Sequence, residues 1–182
     1  LEYQIQTENE EWNQGDSIQG RLRVRNISAE QVSPVVSRVV LAYAVRKELK
    51  SGDAQTWNVL LDKIPISAES LLPQAEIHSE WEFKLSNDCP ITDKSASPFL
   101  LFGGENVMEE GGRIDLRVKL HPLLQSFLQT FTTQFKFLEK YRKSREDYTE
   151  VKLLPPESKE FPNLEQLLCL LRIHDEQLES IF

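Results

Sequence analysis

The sequence predicts a mainly β chain: an antiparallel two-sheet β-sandwich over residues 1–121, followed by a helical C-terminal segment over residues 122–182. Three observations carry this. Apolar residues recur at every second position through the first two thirds of the 182 residues, the period of strands with one buried face. About seven such runs are separated by turn residues, with no helical period between them, which excludes alternating β and α units. At Pro122 the period then lengthens to that of a helix.

Taken in order, Leu1, Tyr3 and Ile5 alternate with Glu2, Gln4 and Gln6, and Ile18, Gly20, Leu22 and Val24 alternate with Gln19, Arg21, Arg23 and Arg25. Val35 to Val45 places Val39, Leu41, Tyr43 and Val45 on one face, while Val36, Val40 and Ala42 make the other apolar too, as in a central strand covered on both sides. Trp57, Val59 and Leu61 form a shorter run before Ile64-Pro65-Ile66, where the proline removes a ladder donor and favours an edge. Ala75 to Leu85 alternates most regularly, with Ile77, Trp81, Phe83 and Leu85 inward and Glu76, His78, Glu80, Glu82 and Lys84 outward. Phe99 to Phe102 is short and wholly apolar, and Arg113 to Leu120 reads as a last strand after the Gly111-Gly112 turn.

Pro122 suits the first turn of a helix, and Leu124, Phe127, Leu128, Phe131, Phe135 and Leu138 fall on one stripe. Thr130, Thr132 and Thr133 weaken that helix, and Phe135-Lys136-Phe137 equally suits the start of a strand. Val151 to Leu154 runs into Pro155-Pro156, a breaker. Glu160 through Leu178, with Leu164, Leu167, Leu168, Leu171 and Leu178 recurring, is expected to form a second helix. Residues 122–182 thus read as a helical linker or extension, or as the opening of a truncated second domain.

Composition narrows the function classes. The net charge is −8, with 19 acids against 13 bases in residues 1–121 and 10 against 8 in residues 122–182, so neither part carries the basic footprint of a nucleic-acid binder. The longest apolar runs, Val39 to Val45 and Leu167 to Leu171, fall far short of the roughly 20 residues a spanning helix needs. Cys89 and Cys169 stand apart with no C-x-x-C spacing, which fits a reducing cytoplasm and argues against a zinc knuckle or a disulfide scaffold.

No nucleophile-and-base arrangement, phosphate loop or H-E-x-x-H set is present. Glu76, His78, Glu80 and Glu82 project from one side of a strand and could in principle ligate a divalent cation, though alternation alone demands polar residues there. His121 at the strand-to-helix junction suits capping, and the two cysteines suit packing rather than reactivity. Lys136, Lys140, Arg142, Lys143 and Arg145 gather five bases within ten residues and form the candidate patch for an acidic partner or an anionic lipid surface. Its plain alternative is a solvated face, partly neutralised by Glu146, Asp147 and Glu150.

Several motifs, in order, resemble a known pattern. Asn13-Gln14-Gly15-Asp16-Ser17-Ile18-Gln19-Gly20-Arg21-Leu22-Arg23-Val24 is similar to an opening hairpin of the form x-P-G-[ED]-x-[IVL]-x-G-x-[IVL]-x-[IVL], with Gln14 where proline is usual. Leu72-Pro73-Gln74-Ala75-Glu76, followed by Trp81 to Thr92, looks like a P-G-E segment and a strand ending in P-x-x-x-P-x-T, with Pro90 and Thr92 in place, Gln74 where glycine is usual and Ser86 where the first proline is. His121-Pro122-Leu123-Leu124-Gln125 resembles the junction that closes the first sandwich. Together these resemble the arrestin-like superfamily, and most closely its bacterial sporulation-control branch. The resemblance implies an immunoglobulin-like, arrestin-like β-sandwich and a non-enzymatic cytoplasmic adaptor or scaffold without cofactors, which binds proteins at a sheet edge or through end loops. Peripheral membrane contact and homo-oligomers stay open. Two other readings compete: a carbohydrate-type binding sandwich with Trp12 and Trp57 as exposed stacking platforms, and a metal-dependent enzyme using Glu76, His78 and Glu80.

Overall fold

The structure, a computed structural model, describes residues 1–50, 56–157 and 161–182. The strands, in chain order, are β1 (Glu2–Thr7), β2 (Glu11–Asn13), β3 (Ser17–Arg25), β4 (Val35–Val45), β5 (Asn58–Ala68), β6 (Glu76–Lys84), β7 (Ala96–Gly103), β8 (Gly112–Asp115), β9 (Arg117–Lys119), β10 (Leu138–Ser144), β11 (Thr149–Leu154), β12 (Leu167–His174) and β13 (Gln177–Ile181). Two short helices, α1 (Val107–Glu110) and α2 (Pro122–Gln129), interrupt them. The chain divides into two compact units. One comprises Leu1–Trp12, Ser17–Lys84 and Lys94–Arg117; the other comprises Asn13–Asp16, Leu85–Asp93 and Val118–Phe182.

The first unit is a β-sandwich of two antiparallel sheets, ordered β1-β3-β6 and β5-β4-β7-β8. Alternation sends Ile5, Ile18, Leu22, Val24, Trp81 and Phe83 to the buried side of the first sheet. β4 is the central strand expected of a segment apolar on both faces: it pairs with β5 and β7, and Val39, Val40, Leu41 and Ala42 are all buried. Gly20 is required by close approach, because a Cβ there would lie 2.8 Å from Cζ2 of Trp81, whose indole crosses it, and closer still to the Gln6 carbonyl. The expected strand Arg113 to Leu120 is in fact two. Leu116 turns away to donate its N–H to the Pro98 carbonyl (3.0 Å), β8 pairs with β7, and β9 pairs with β2, a strand the sequence reading does not contain.

In the second unit, α2 starts at Pro122, capped by the His121 ring, which accepts from the Leu123 N–H (3.3 Å). It buries Leu124 and Leu128, and a wider turn continues it over residues 130–134 before Lys136 takes a positive φ of 58°. The apolar stripe therefore ends early: Phe135 and Leu138 are exposed, while Phe137 is buried. Gln14, the departure from the proline pattern, is a buried tie between three segments. Its Nε2 donates to the Cys89 carbonyl (2.7 Å), its Oε1 accepts from the His121 N–H (3.0 Å), and its own N–H reaches Lys119 (2.9 Å). Gly15 beside it holds φ +86°, a conformation glycine adopts without cost.

The expectation of a helical segment over residues 122–182 is corrected beyond residue 134. β10-β11-β12-β13 form an antiparallel meander, and the expected second helix is β12, a turn at Asp175-Glu176 and β13; Glu160 lies outside the described residues. The cause is a run apolar on both faces. Cys169, Leu171 and Ile173 point into a core with Val151, Leu153, Leu124 and Leu128, while Leu168 and Leu170 point out, so the period of two disappears from the sequence.

Candidate protein-binding surface

β5 is an outermost strand of its sheet, with β4 on one side and, among the described residues, no strand on the other. It is also long, 11 residues, and exposed through most of its length: Val59, Leu61 and Ile64 are 45, 37 and 59% exposed. Open edges with apolar side chains are templates for strand pairing, and proteins ordinarily blunt them with charge, proline or bulges. β6, an edge of the other sheet, is blunted by Glu76, Glu80, Glu82 and Lys84. β5 is blunted by charge and proline from its middle onward, at Asp62, Lys63 and Pro65, and by two register shifts with β4, one after Lys63 and one that places an extra residue at Leu60. Asn58 to Leu61 carries no charge. Arg38 of β4 reaches across and donates to the Asp62 carboxylate, and that hydrogen bond raises the guanidinium pKa further.

Beside β5 lies an open groove of about 580 Å³. Lys63, Ile64 and Pro65 line one part, the end of β1 and the middle of β3 and β6 line the rest, and Glu8, Glu80 and Glu82 are among the lining residues. Trp81 and Gly20 lie at its base, and the Trp81 indole N–H is buried without an acceptor among the described residues.

Of the residues singled out from sequence, Glu80 and Glu82 line this groove and the others fall elsewhere. Glu76 is held by the Arg23 guanidinium (2.6 Å) and by His78 (3.0 Å), and Glu80 lies 3.4 Å from Arg21. Hydrogen bonds from His78 and then Arg23 hold Glu76 below the usual carboxylate range. No group of three His, Cys, Asp or Glu among the described residues is placed to hold a metal. Trp12 is buried at 4% exposure, and Trp57 is partly buried, edge-on to Phe99 at 5.4 Å, so the two do not form exposed stacking platforms. Burial pushes the Cys89 thiol up to about 12 and the Cys169 thiol up to about 11, which leaves both protonated near neutrality.

The five bases are not one patch, because β10 alternates them. Arg142 makes a two-pronged pair with Glu139 (2.6 Å) on the side of Val151, and Lys143 lies over the Tyr141 ring (5.1 Å) on the opposite side. Arg145 binds Glu150 (3.1 Å), while Lys136 and Lys140 are exposed. Partial burial would raise Glu150, but hydrogen bonds from Tyr141 and Arg145 outweigh it and hold the carboxylate low. In the sequence the β5 edge carries one signal, Pro65, which favours an outer strand.

No protein-family model matches the sequence, and no curated protein matches it. Among solved structures, the sporulation control protein Spo0M from Bacillus subtilis superposes with a TM-score of 0.75 at 14% identity, over 98% of this chain and 76% of that one. An alkylpurine DNA glycosylase, AlkC, from Pseudomonas fluorescens gives 0.44 at 11% identity over 64% of this chain and 29% of its own. A β-glucosidase from Listeria innocua gives 0.38 at 16% identity over 65% and 16%. The last two likenesses are too loose to argue from, whereas the first spans almost every residue. The chain therefore shares the fold of that sporulation control protein.

Proposed function

We propose that this protein is a non-enzymatic cytoplasmic adaptor whose immunoglobulin-like β-sandwich takes up an extended segment of a partner protein along β5. The observation that carries the reading is the edge of β5, uncharged over Asn58 to Leu61 and exposed at Val59, Leu61 and Ile64, where main-chain pairing supplies affinity and the adjoining groove receives alternate side chains. The acidic lining of that groove favours a peptide with a basic residue at one such position. Protonated, buried thiols and engaged carboxylates support a binding role over catalysis. The regulatory name of Spo0M, whose fold the chain shares, agrees with an adaptor. The test is selection of peptides from a displayed random library on the intact chain, followed by binding to Leu61→Glu and Ile64→Glu variants. Enriched peptides are expected to lose at least about tenfold in affinity on both variants; retention of affinity by both removes β5 as the site.

A further inference from the structure

Strand register sorts the β10–β13 sheet onto two faces. Val151, Leu153, Cys169 and Leu171 are buried on one. On the other, Leu138 stands opposite Leu154, Lys152 opposite Leu168, and Lys143, Glu150, Leu170 and Ile181 share the next row. Leu138, Leu168 and Ile181 are 65, 40 and 67% exposed. These side chains make a diagonal stripe across all four strands, one side chain wide over most of its course. Three strand spacings of roughly 4.8 Å and two rows of roughly 6.8 Å give it a length of about 20 Å. Lys143 and Lys152 stand on one flank of the stripe, where the carboxylate of Glu150 is already engaged by Arg145 and the Tyr141 hydroxyl (2.9 Å).

We propose that this face docks an acidic amphipathic α-helix from a partner protein, its apolar side along the Leu138–Ile181 stripe and its carboxylates over Lys143 and Lys152. The stripe has the width of one helix's apolar seam, and about 13 helical residues span its length at about 1.5 Å each. Cations on a single flank match a helix with one acidic side. A bilayer would meet the whole face, Glu150 and Glu179 included, and fits the arrangement less well. This surface is separate from the β5 edge and stands without it.

The experiment uses the intact chain and a labelled synthetic helical peptide of about 14 residues, with leucines at helical spacing and glutamates along one flank. Its partner probe carries lysines in place of the glutamates. Fluorescence anisotropy is expected to show the acidic peptide bound at least about tenfold more tightly than the lysine form. The double variant Leu138→Ser with Ile181→Ser abolishes binding, and Lys143→Glu with Lys152→Glu reverses the preference. The substituted side chains are exposed or half-exposed, so melting temperatures stay at the wild-type value; Leu168→Ser serves as a second apolar variant. Equal binding of both peptides, or of neither, overturns the proposal. So does binding to phosphatidylserine vesicles without peptide binding, or an effect of the variants confined to self-association measured by sedimentation.

Discussion

The outward faces of two sheets, β1-β3-β6 in the first unit and β10–β13 in the second, are made of different material. The first is a lattice of cross-strand polar pairs: Arg21 with Glu80, Arg23 with Glu76 and Gln4, and Arg25 with Gln74. Each is exposed and contributes little to stability, so the lattice serves mainly to keep the face in water and the charged edge of β6 unpaired. The second face interleaves its charges with leucine and isoleucine. A face meant for water is alternating and legible in sequence, whereas a face with apolar side chains on both sides conceals its own strands.

The comparison breaks most easily at the cores beneath the faces. Leu22→Ala and Leu171→Ala each truncate a fully buried side chain and are expected to cost about 2–5 kcal/mol in thermal or denaturant unfolding. Gln14→Ala removes two buried hydrogen bonds that tie the second unit together; a loss of about 1–3 kcal/mol is expected, with Gln14→Pro no better. The polar lattice has a smaller, pH-dependent effect. Glu76 titrates lower in the folded chain than its ordinary 4.5, so its contribution is present above that value and fades as pH falls through the folded pKa. Glu76→Gln should therefore lower neutral-pH stability slightly and flatten the acid limb of the stability curve, the variant and the parent converging below the folded pKa. Smallest of all, Leu138→Ser on the second face should move stability by less than about 0.5 kcal/mol, because that side chain has little to lose on the folded surface. Thiol titration sharpens the same contrast between buried and exposed groups: both cysteines should resist a disulfide reagent near neutral pH and react fully after unfolding.

The sandwich was legible because its strands keep one wet face. Val35 to Val45 was read to its ends, and Pro65 correctly marked an edge. The His121-Pro122 helix start was legible from its cap and proline. Beyond Phe135 the signals conflict: β10 alternates charges on both faces, and β12 is apolar on both, so neither shows the period of two that reveals a half-buried strand. The basic cluster looked like a patch because spacing along the chain does not say which side of a strand each base takes. Among the described residues no helix is long and apolar enough to cross a bilayer.

The adaptor reading is tested most directly by amide hydrogen exchange on the complex with a selected peptide, followed residue by residue along β4 and β5. The account predicts that amides between Asn58 and Ile64 slow markedly on binding while those of the already paired β4 change little. Exchange through β5 that is unaltered by a bound peptide, with protection appearing in the end loops instead, would contradict it.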